Sequence, residues 1–490
     1  MNENNLKFGY GRLTATLIII MTAFIISGCG RSSGEFHYTT SSDEARQLFL
    51  EGLDNHENLF EDEARALFRK ALKLDPDFAM AYYYLSLSSG ITGDFQTLMN
   101  RAVDLVDSVS QPERLLILSK KAEFDDDMGK AQEYLEELVR VLPRSKRAHL
   151  HLGVFYYMLQ MYQPALKECQ LAVKLNPDFA PGYNMLAYIY VDLGQYTEAI
   201  EALKKYSDLR PKDPNPHDSM GEIFLAMGDF ENSLKQYKEA LKRESDFTYS
   251  IAGIANNYVL MGEYEKGRAQ YREIFRKARN AQDTLRAHEL IAQSYLYEKN
   301  ADRAVDEYLK NLEYARSLTN IYAQAGIHAH LAVIFRERGD YPGSREQLDQ
   351  MKDIFTRPDF QPGIRENYTR DYLFNDILVL TQTGKKDQAA QKYEKFRESA
   401  EASNNSLSIR RLRGLEGLMA YWNKDYATAI RLLNDPNPIN QYFKYYLGLA
   451  YLKNGEEQKA RLIFSEIAGY NRPSLTYALV RPEAEKFEFR

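Results

Sequence analysis

Eight histidines and two cysteines are the side chains of this 490-residue chain best suited to nucleophilic or metal chemistry. Their spacing argues against both. His149 and His151 form one H-x-H, and His328 and His330 form another. Two residues along a helix are about 200° of rotation, so the rings of each pair point apart. Metal-binding pairs on helices need i,i+4 spacing. Cys29 and Cys169 are too few and too differently placed for a disulfide framework. Cys169 lies on an apolar stripe with Ala165, Ala172 and Val173, where a packed thiol is expected. The chain has no CxxC, no G-x-x-x-x-G-K-[ST] and no G-x-S-x-G. Asp125 to Asp127 and the pair Glu136, Glu137 read as solvated charge at helix ends or turns. No catalytic residues, metal ligands or cofactor motif emerge, so the expectation is a protein that is not an enzyme and needs no cofactor.

What remains is the scaffold that carries these residues, and it is periodic. Gly153, Ala187 and Gly221 are 34 residues apart, and so are Tyr162, Tyr196 and Phe230. Ala165, Ala199 and Ser233 repeat the same step. In one unit Leu152, Tyr156 and Leu159 recur at helical spacing, the pattern breaks at residues 160–162, and a second apolar stripe follows. Pro177 then ends the second helix, because it lacks an N–H and forces the preceding residue out of the helical region. One such hairpin has too little core to stand alone, and stacked neighbours must supply it. Units begin near residues 45, 79, 112, 146, 180, 214 and 248. The third is degenerate, with Met128 where the turn aromatic belongs. Beyond Arg279 the step lengthens towards 40, and units continue to about residue 467.

Tyr183, Leu186, Ala187, Tyr190, Gly194, Tyr196, Ala199, Leu203 and Pro211 together resemble the signature of the tetratricopeptide repeat family. The resemblance covers nearly all of the chain after residue 43. It implies an all-α, right-handed α-solenoid of stacked helix-turn-helix hairpins. The organisation expected is a 34-residue-period array over 45–284, longer repeats over 285–356, C-terminal repeats over 357–470 and a charged tail, frayed in this reading, over 471–490.

The N-terminus carries a different signal. Residues 13–27 are an apolar run behind Lys7 and Arg12, of signal-peptide length and short for a membrane span of roughly 20 residues. The run ends in Ile26, Ser27, Gly28 and Cys29, which resembles a bacterial lipobox. That resemblance implies a signal peptide over 1–28, acylation of Cys29 and a polar tether over 29–43. Several acyl chains anchor firmly, whereas one binds only marginally. Arg31 and Ser32, rather than Asp, follow the cysteine, which favours an outer over an inner membrane in enterobacteria-like sorting. The expected location is a bacterial membrane, facing the periplasm or the cell exterior.

With 63 basic and 69 acidic residues the net charge is −6, which leaves no basic footprint for nucleic acid. In tetratricopeptide proteins the first helix of each repeat lines a concave groove. Carried over by the resemblance, that groove presents Tyr157, Asn184, Tyr188, Asp218, Glu222 and Asn256. Asn184 and Asn256 are compatible with a clamp for a peptide carboxylate, but Asp218 and Glu222 would repel one. The groove therefore suits a peptide with amide or basic groups. Tyrosines such as Tyr156 and Tyr157 also invite sugar stacking, although in most such repeats they pack between helices. The function expected is a membrane-anchored scaffold that binds proteins or peptides, with no nucleic-acid partner and no small-molecule substrate. The alternative is an accessory factor for envelope or polysaccharide export machinery, acting by the same kind of binding.

Overall fold

The computed structural model describes residues 36–58, 60–88, 93–435 and 440–487. Among them the chain forms 25 α-helices, no strand, and two short 3-10 turns. Twenty-four of the helices make twelve consecutive hairpins, Asp43–Glu57 with Glu61–Leu74 being the first and Gln441–Lys453 with Glu457–Ala468 the twelfth. The last, Leu475–Ala484, stands alone. The architecture is an all-α solenoid, as the period requires.

Local chemistry sets the hairpins. Ser145 caps Lys146–Met158 by accepting from the Ala148 amide at 3.2 Å, and Asp229 caps Phe230–Arg243 by accepting from the Asn232 amide at 3.1 Å. Turns between paired helices need a left-handed residue. Gly194 supplies it at φ 73°, and Gln160 adopts φ 56° at the equivalent place despite its side chain. Small residues then let paired helices touch. A Cβ on Gly153 would lie 2.5 Å from the Cys169 sulfur. Ala165, Ala199 and Ser233 are fully buried on the second helices. The helices lengthen from 13 or 14 residues in the fourth hairpin to 17 in Ala281–Tyr297, Ala301–Ser317 and Ile321–Glu337.

Two readings of the sequence need correction. Among the described residues the expected charged tail is docked: Leu475–Ala484 is a helix whose Leu475, Tyr477, Ala478, Val480 and Ala484 belong to the same buried cluster as Tyr297 and Tyr308. Ser474 caps it by accepting from the Tyr477 amide, a start signal available in the sequence. Residues 36–42, expected to lie in the polar tether, are likewise docked. Tyr38 is buried against Phe49, Thr39 donates from its amide to Glu113 at 2.8 Å, and the Ser41 amide donates to Asp75 at 2.8 Å. Cys29 and the lipobox lie outside the described residues. The irregular link near residues 357–361 is docked on the array. Phe360 is fully buried between Tyr322 and Tyr368, and a Cβ on Gly363 would collide with the Phe124 carbonyl oxygen.

That last contact belongs to a larger pattern, in which the solenoid winds back on itself. Arg370 pairs with Asp126 at 2.7 Å, and Arg410 donates to Gln160 at 2.6 Å. Arg472 pairs with Asp192 at 2.5 Å, and Arg481 donates to the Leu260 carbonyl at 3.1 Å. Each acceptor sits at the C-terminal end of the first helix of its hairpin: the third, fourth, fifth and seventh in turn. Such ends expose unpaired carbonyls and carry partial negative charge, which arginine satisfies.

Candidate binding groove

The first helices of hairpins five to seven, Ala180–Asp192, Asn215–Ala226 and Thr248–Leu260, lie side by side. Asn184 and Tyr188 are one helical turn apart, as are Asp218 and Glu222, so each pair shares a face. The faces meet across the helices. Ser219 donates to Asn184 at 3.4 Å, and the Tyr188 hydroxyl lies 3.2 Å from Ser219 and donates to Glu222 at 3.2 Å. Ser250 of the next hairpin donates to Asp218 at 2.6 Å. Asn184, Tyr188 and Glu222 are thus joined through Ser219 in one hydrogen-bonded line, and Asp218 lies beside it on Ser250.

The other two stand apart. Tyr157, on Lys146–Met158, is half-buried and hydrogen-bonds Asp192. Asn256 accepts from Tyr271 at 2.5 Å, so the second helix of its own hairpin holds it.

Burial governs the electrostatics. Glu222 keeps a solvent-exposed edge, yet protein encloses it on most sides and raises its pKa, against Arg472 and the Tyr188 hydrogen bond. Asp218 is pushed up to about 7 by burial, with Glu222 adding to the rise and Ser250 and Arg286 opposing it. Burial also lifts the Tyr188 hydroxyl well above its usual value, and neighbouring Glu222 adds to that. The line therefore holds its protons more tightly than free side chains would.

Residues 470–487 run along the turn ends of hairpins five to eight. Asn471 packs over Gly228, Tyr477 meets Tyr297 edge-on at 5.9 Å between ring centroids, and Lys299 faces Glu483 at 3.7 Å. Arg472 and Arg481 are residues that sequence reasoning missed. An arginine in a charged tail carries no periodic signal of its own.

The histidines take up structural work. His149 bonds Glu168 at 2.7 Å, His217 bonds Gln236 at 2.8 Å, His288 bonds Glu307 at 2.6 Å, and His328 bonds Gln347 at 2.8 Å. All four are 19 residues from their partner, an unread spacing that ties the first helix to the second. His151 instead faces Tyr84 at 3.4 Å, and His330 faces Glu289 at 3.8 Å, so each H-x-H diverges. Burial pulls His151 down to about 3 and pushes the Cys169 thiol up to about 12. Among the described residues, no three His, Cys, Asp or Glu side chains are grouped to hold a metal. No described helix is long and apolar enough to cross a membrane.

Comparison with known proteins agrees with this geometry. Tetratricopeptide repeat models match residues 126–180, 168–201 and 217–247, and a TPR repeat model matches 187–228. The chain therefore carries tetratricopeptide repeats, a class that generally mediates protein–protein interactions. It is 26% identical over 111 residues to small glutamine-rich tetratricopeptide repeat-containing protein 2 of Saccharomyces cerevisiae, covering 23% of this chain and 32% of that protein. It is 26% identical over 161 residues to tetratricopeptide repeat protein 37 of Xenopus laevis, covering 31% of this chain and 10% of that one. The chain thus spans a third or less of the length of these relatives. A solved thermophilic TPR protein of Thermus thermophilus is similar at 21% identity and a TM-score of 0.29, covering 44% of this chain and 98% of that one.

Proposed function

We propose that the protein is a non-enzymatic scaffold that binds proteins or peptides, held at a bacterial envelope membrane by lipid on Cys29. The observation that carries the binding half is the line Asn184, Ser219, Tyr188, Glu222, with Asp218 beside it. It is a pre-formed polar surface on rigid helices, so little ordering is lost on binding. Its acids favour a partner with amide or basic groups, and Arg472 already fills that role from within the chain.

The anchor half rests on Ile26, Ser27, Gly28 and Cys29 in the sequence. Phe36 is packed against Tyr38 at 5.8 Å between ring centroids. Seven residue steps from Cys29 to Phe36 reach at most about 25 Å, at roughly 3.5 Å per residue. The scaffold would ride close to the bilayer, where confinement raises the local concentration of membrane partners.

Two experiments test the halves separately. In crosslinked envelopes Asp218→Lys with Glu222→Lys changes the captured partners while the fold survives, and unaltered capture removes the groove from the account. Cys29→Ser accumulates an unprocessed precursor without acyl label, and normal maturation with membrane retention refutes the anchor. Recovery of a synthase or porin among the partners would favour a role in envelope or polysaccharide export.

A further inference from the structure

The helix Ala180–Asp192 ends in a carboxylate that sits in a pocket built by distant parts of the chain. Asp192 lines a cavity of about 480 Å³ together with Tyr157 and Tyr162 of the fourth hairpin and Tyr470 and Arg472 beyond the twelfth. The Tyr157 hydroxyl hydrogen-bonds the carboxylate. The Tyr157 and Tyr162 rings stand 5.9 Å apart and tilted by 53°, so they offer two differently inclined faces. A carboxylate among tyrosine faces suits a guanidinium, which pairs with the charge and packs flat on the rings.

The chain itself displays this preference. Arg472 Nη1 donates to Asp192 Oδ1 at 2.5 Å. The hold is partial. Among the described residues this is the single hydrogen bond of Arg472, whose side chain is 32% exposed while that of Asp192 is 13% exposed. Arginine and carboxylate can instead pair through two parallel bonds, which are stronger. A carboxylate also offers about four acceptor positions, more than Arg472 and Tyr157 fill. The other cation in the wall, Lys444, is engaged with Glu466 at 2.5 Å.

The pocket adjoins the groove. Burial raises the Glu222 pKa, Arg472 opposes that rise and Asp192 adds to it, so the pair and the groove line sense each other's charge. A partner lying along Asn184, Tyr188 and Glu222 therefore approaches Asp192 at one end.

We infer that the Asp192 pocket receives an arginine side chain of a partner protein, and that Arg472 is the internal competitor which that arginine displaces. The inference rests on the peptide-binding reading above and names the chemistry the partner must carry. Because Arg472 is tethered beside its site, it competes at a high effective concentration. Isolated cations are thereby kept out, and a partner that also touches the groove line gains entry. Displacement releases residues 470–474 from the turn of the fifth hairpin.

Saturation-transfer NMR of the purified full chain tests this with a capped Gly-Ser-Arg-Ser-Gly peptide and its uncharged citrulline counterpart. The arginine peptide binds and the citrulline peptide does not. Arg472→Ala vacates the pocket and tightens binding about fivefold, equivalent to about 1 kcal/mol at 1.4 kcal/mol per tenfold. Asp192→Asn keeps the shape of the side chain and abolishes binding, alone or combined with Arg472→Ala. Thermal melting confirms that each variant is folded. In the parent, saturating arginine peptide speeds deuterium exchange of the amides of residues 470–474. Equal affinity in the parent and Arg472→Ala overturns the inference, as does binding of the citrulline peptide or the absence of any binding to Arg472→Ala. Binding that survives Asp192→Asn but is lost in Asp218→Lys with Glu222→Lys also overturns it, and leaves the groove reading standing.

Discussion

Arg472 and Asp192 are 280 positions apart in the chain, yet Arg472 Nη1 lies 2.5 Å from Asp192 Oδ1. A linear solenoid brings together only neighbours. This pair exists because the twelve hairpins complete a winding that lays residues beyond the last hairpin across the fifth. Arg370, Arg410 and Arg481 make comparable long-range contacts at the C-terminal ends of other first helices.

Arg472→Ala should loosen that closure. The side chains of the pair are 32% and 13% exposed, so solvent screens part of the attraction and the loss is about 1 kcal/mol. The local effect is larger than the global one. Amides of residues 470–487 should exchange with deuterium faster, while those of the first hairpins keep their protection. Unchanged exchange over the terminal helix would mean that Tyr477, its apolar neighbours and Arg481 hold the segment without Arg472.

Gly153→Ala should destabilise despite the better helix propensity of alanine, worth about 1 kcal/mol. The new Cβ would stand 2.5 Å from the Cys169 sulfur, and overpacking of this kind costs about 1–3 kcal/mol. Adding Cys169→Ala makes room and should recover part of the loss. Denaturant melts of the two single variants and the double variant give the interaction, expected above about 0.5 kcal/mol. Simple additivity would contradict the close contact.

Asp218 should give stability a pH dependence in the neutral range. Unfolded aspartate titrates near 4, and folded Asp218 is pushed up to about 7. Between these values the folded state holds a proton that the unfolded state has released. The contribution is fully present below about pH 4 and is lost as pH rises through 7. Glu222, also raised, acts with the same sign. Asp218→Asn still accepts from Ser250 and should flatten the decline by on the order of 1–3 kcal/mol, at about 1.4 kcal/mol per tenfold change in proton affinity. An unaltered slope between pH 4 and 8 in the variant would disprove the assignment.

Glu113→Ala should release the N-terminal segment. The buried Glu113 carboxylate accepts from the Thr39 amide at 2.8 Å and hydroxyl at 2.6 Å, and from the Ser110 amide at 3.0 Å and hydroxyl at 2.7 Å. Bonds to a charged group contribute about 1.5–3 kcal/mol, and the loss here is expected in that range. Limited proteolysis should find new cleavage within residues 36–42. Resistance equal to the parent would show that Tyr38 and the bonds of Thr40 and Ser41 to Asp75 secure the segment without Glu113.

Much of the scaffold was legible. First helices begin at Asp43, Ala79, Gln111, Lys146, Ala180, Asn215 and Thr248, each within two residues of the starts marked by the 34-residue step. The small residues at 153, 165, 187 and 199 are packed where the period put them. Of the residues assigned to the groove, Asn184, Tyr188 and Glu222 are joined through Ser219 and Asp218 bonds Ser250, while Asn256 is held by Tyr271; the arginines that close the winding were invisible. The terminal helix had a readable start in Ser474, masked by the charge that follows it.

The sequence by itself determined that helical hairpins form, where they turn and which faces they bury. Those outcomes depend on residues a few positions apart, and a repeated pattern reports them many times over. Only the tertiary structure decided that residues beyond the twelfth hairpin dock along the turn ends of hairpins five to eight and that Arg472 meets Asp192. Curvature accumulates as a small rotation at each of a dozen interfaces, so the partners it finally brings together are fixed by the sum of all of them and by no local pattern.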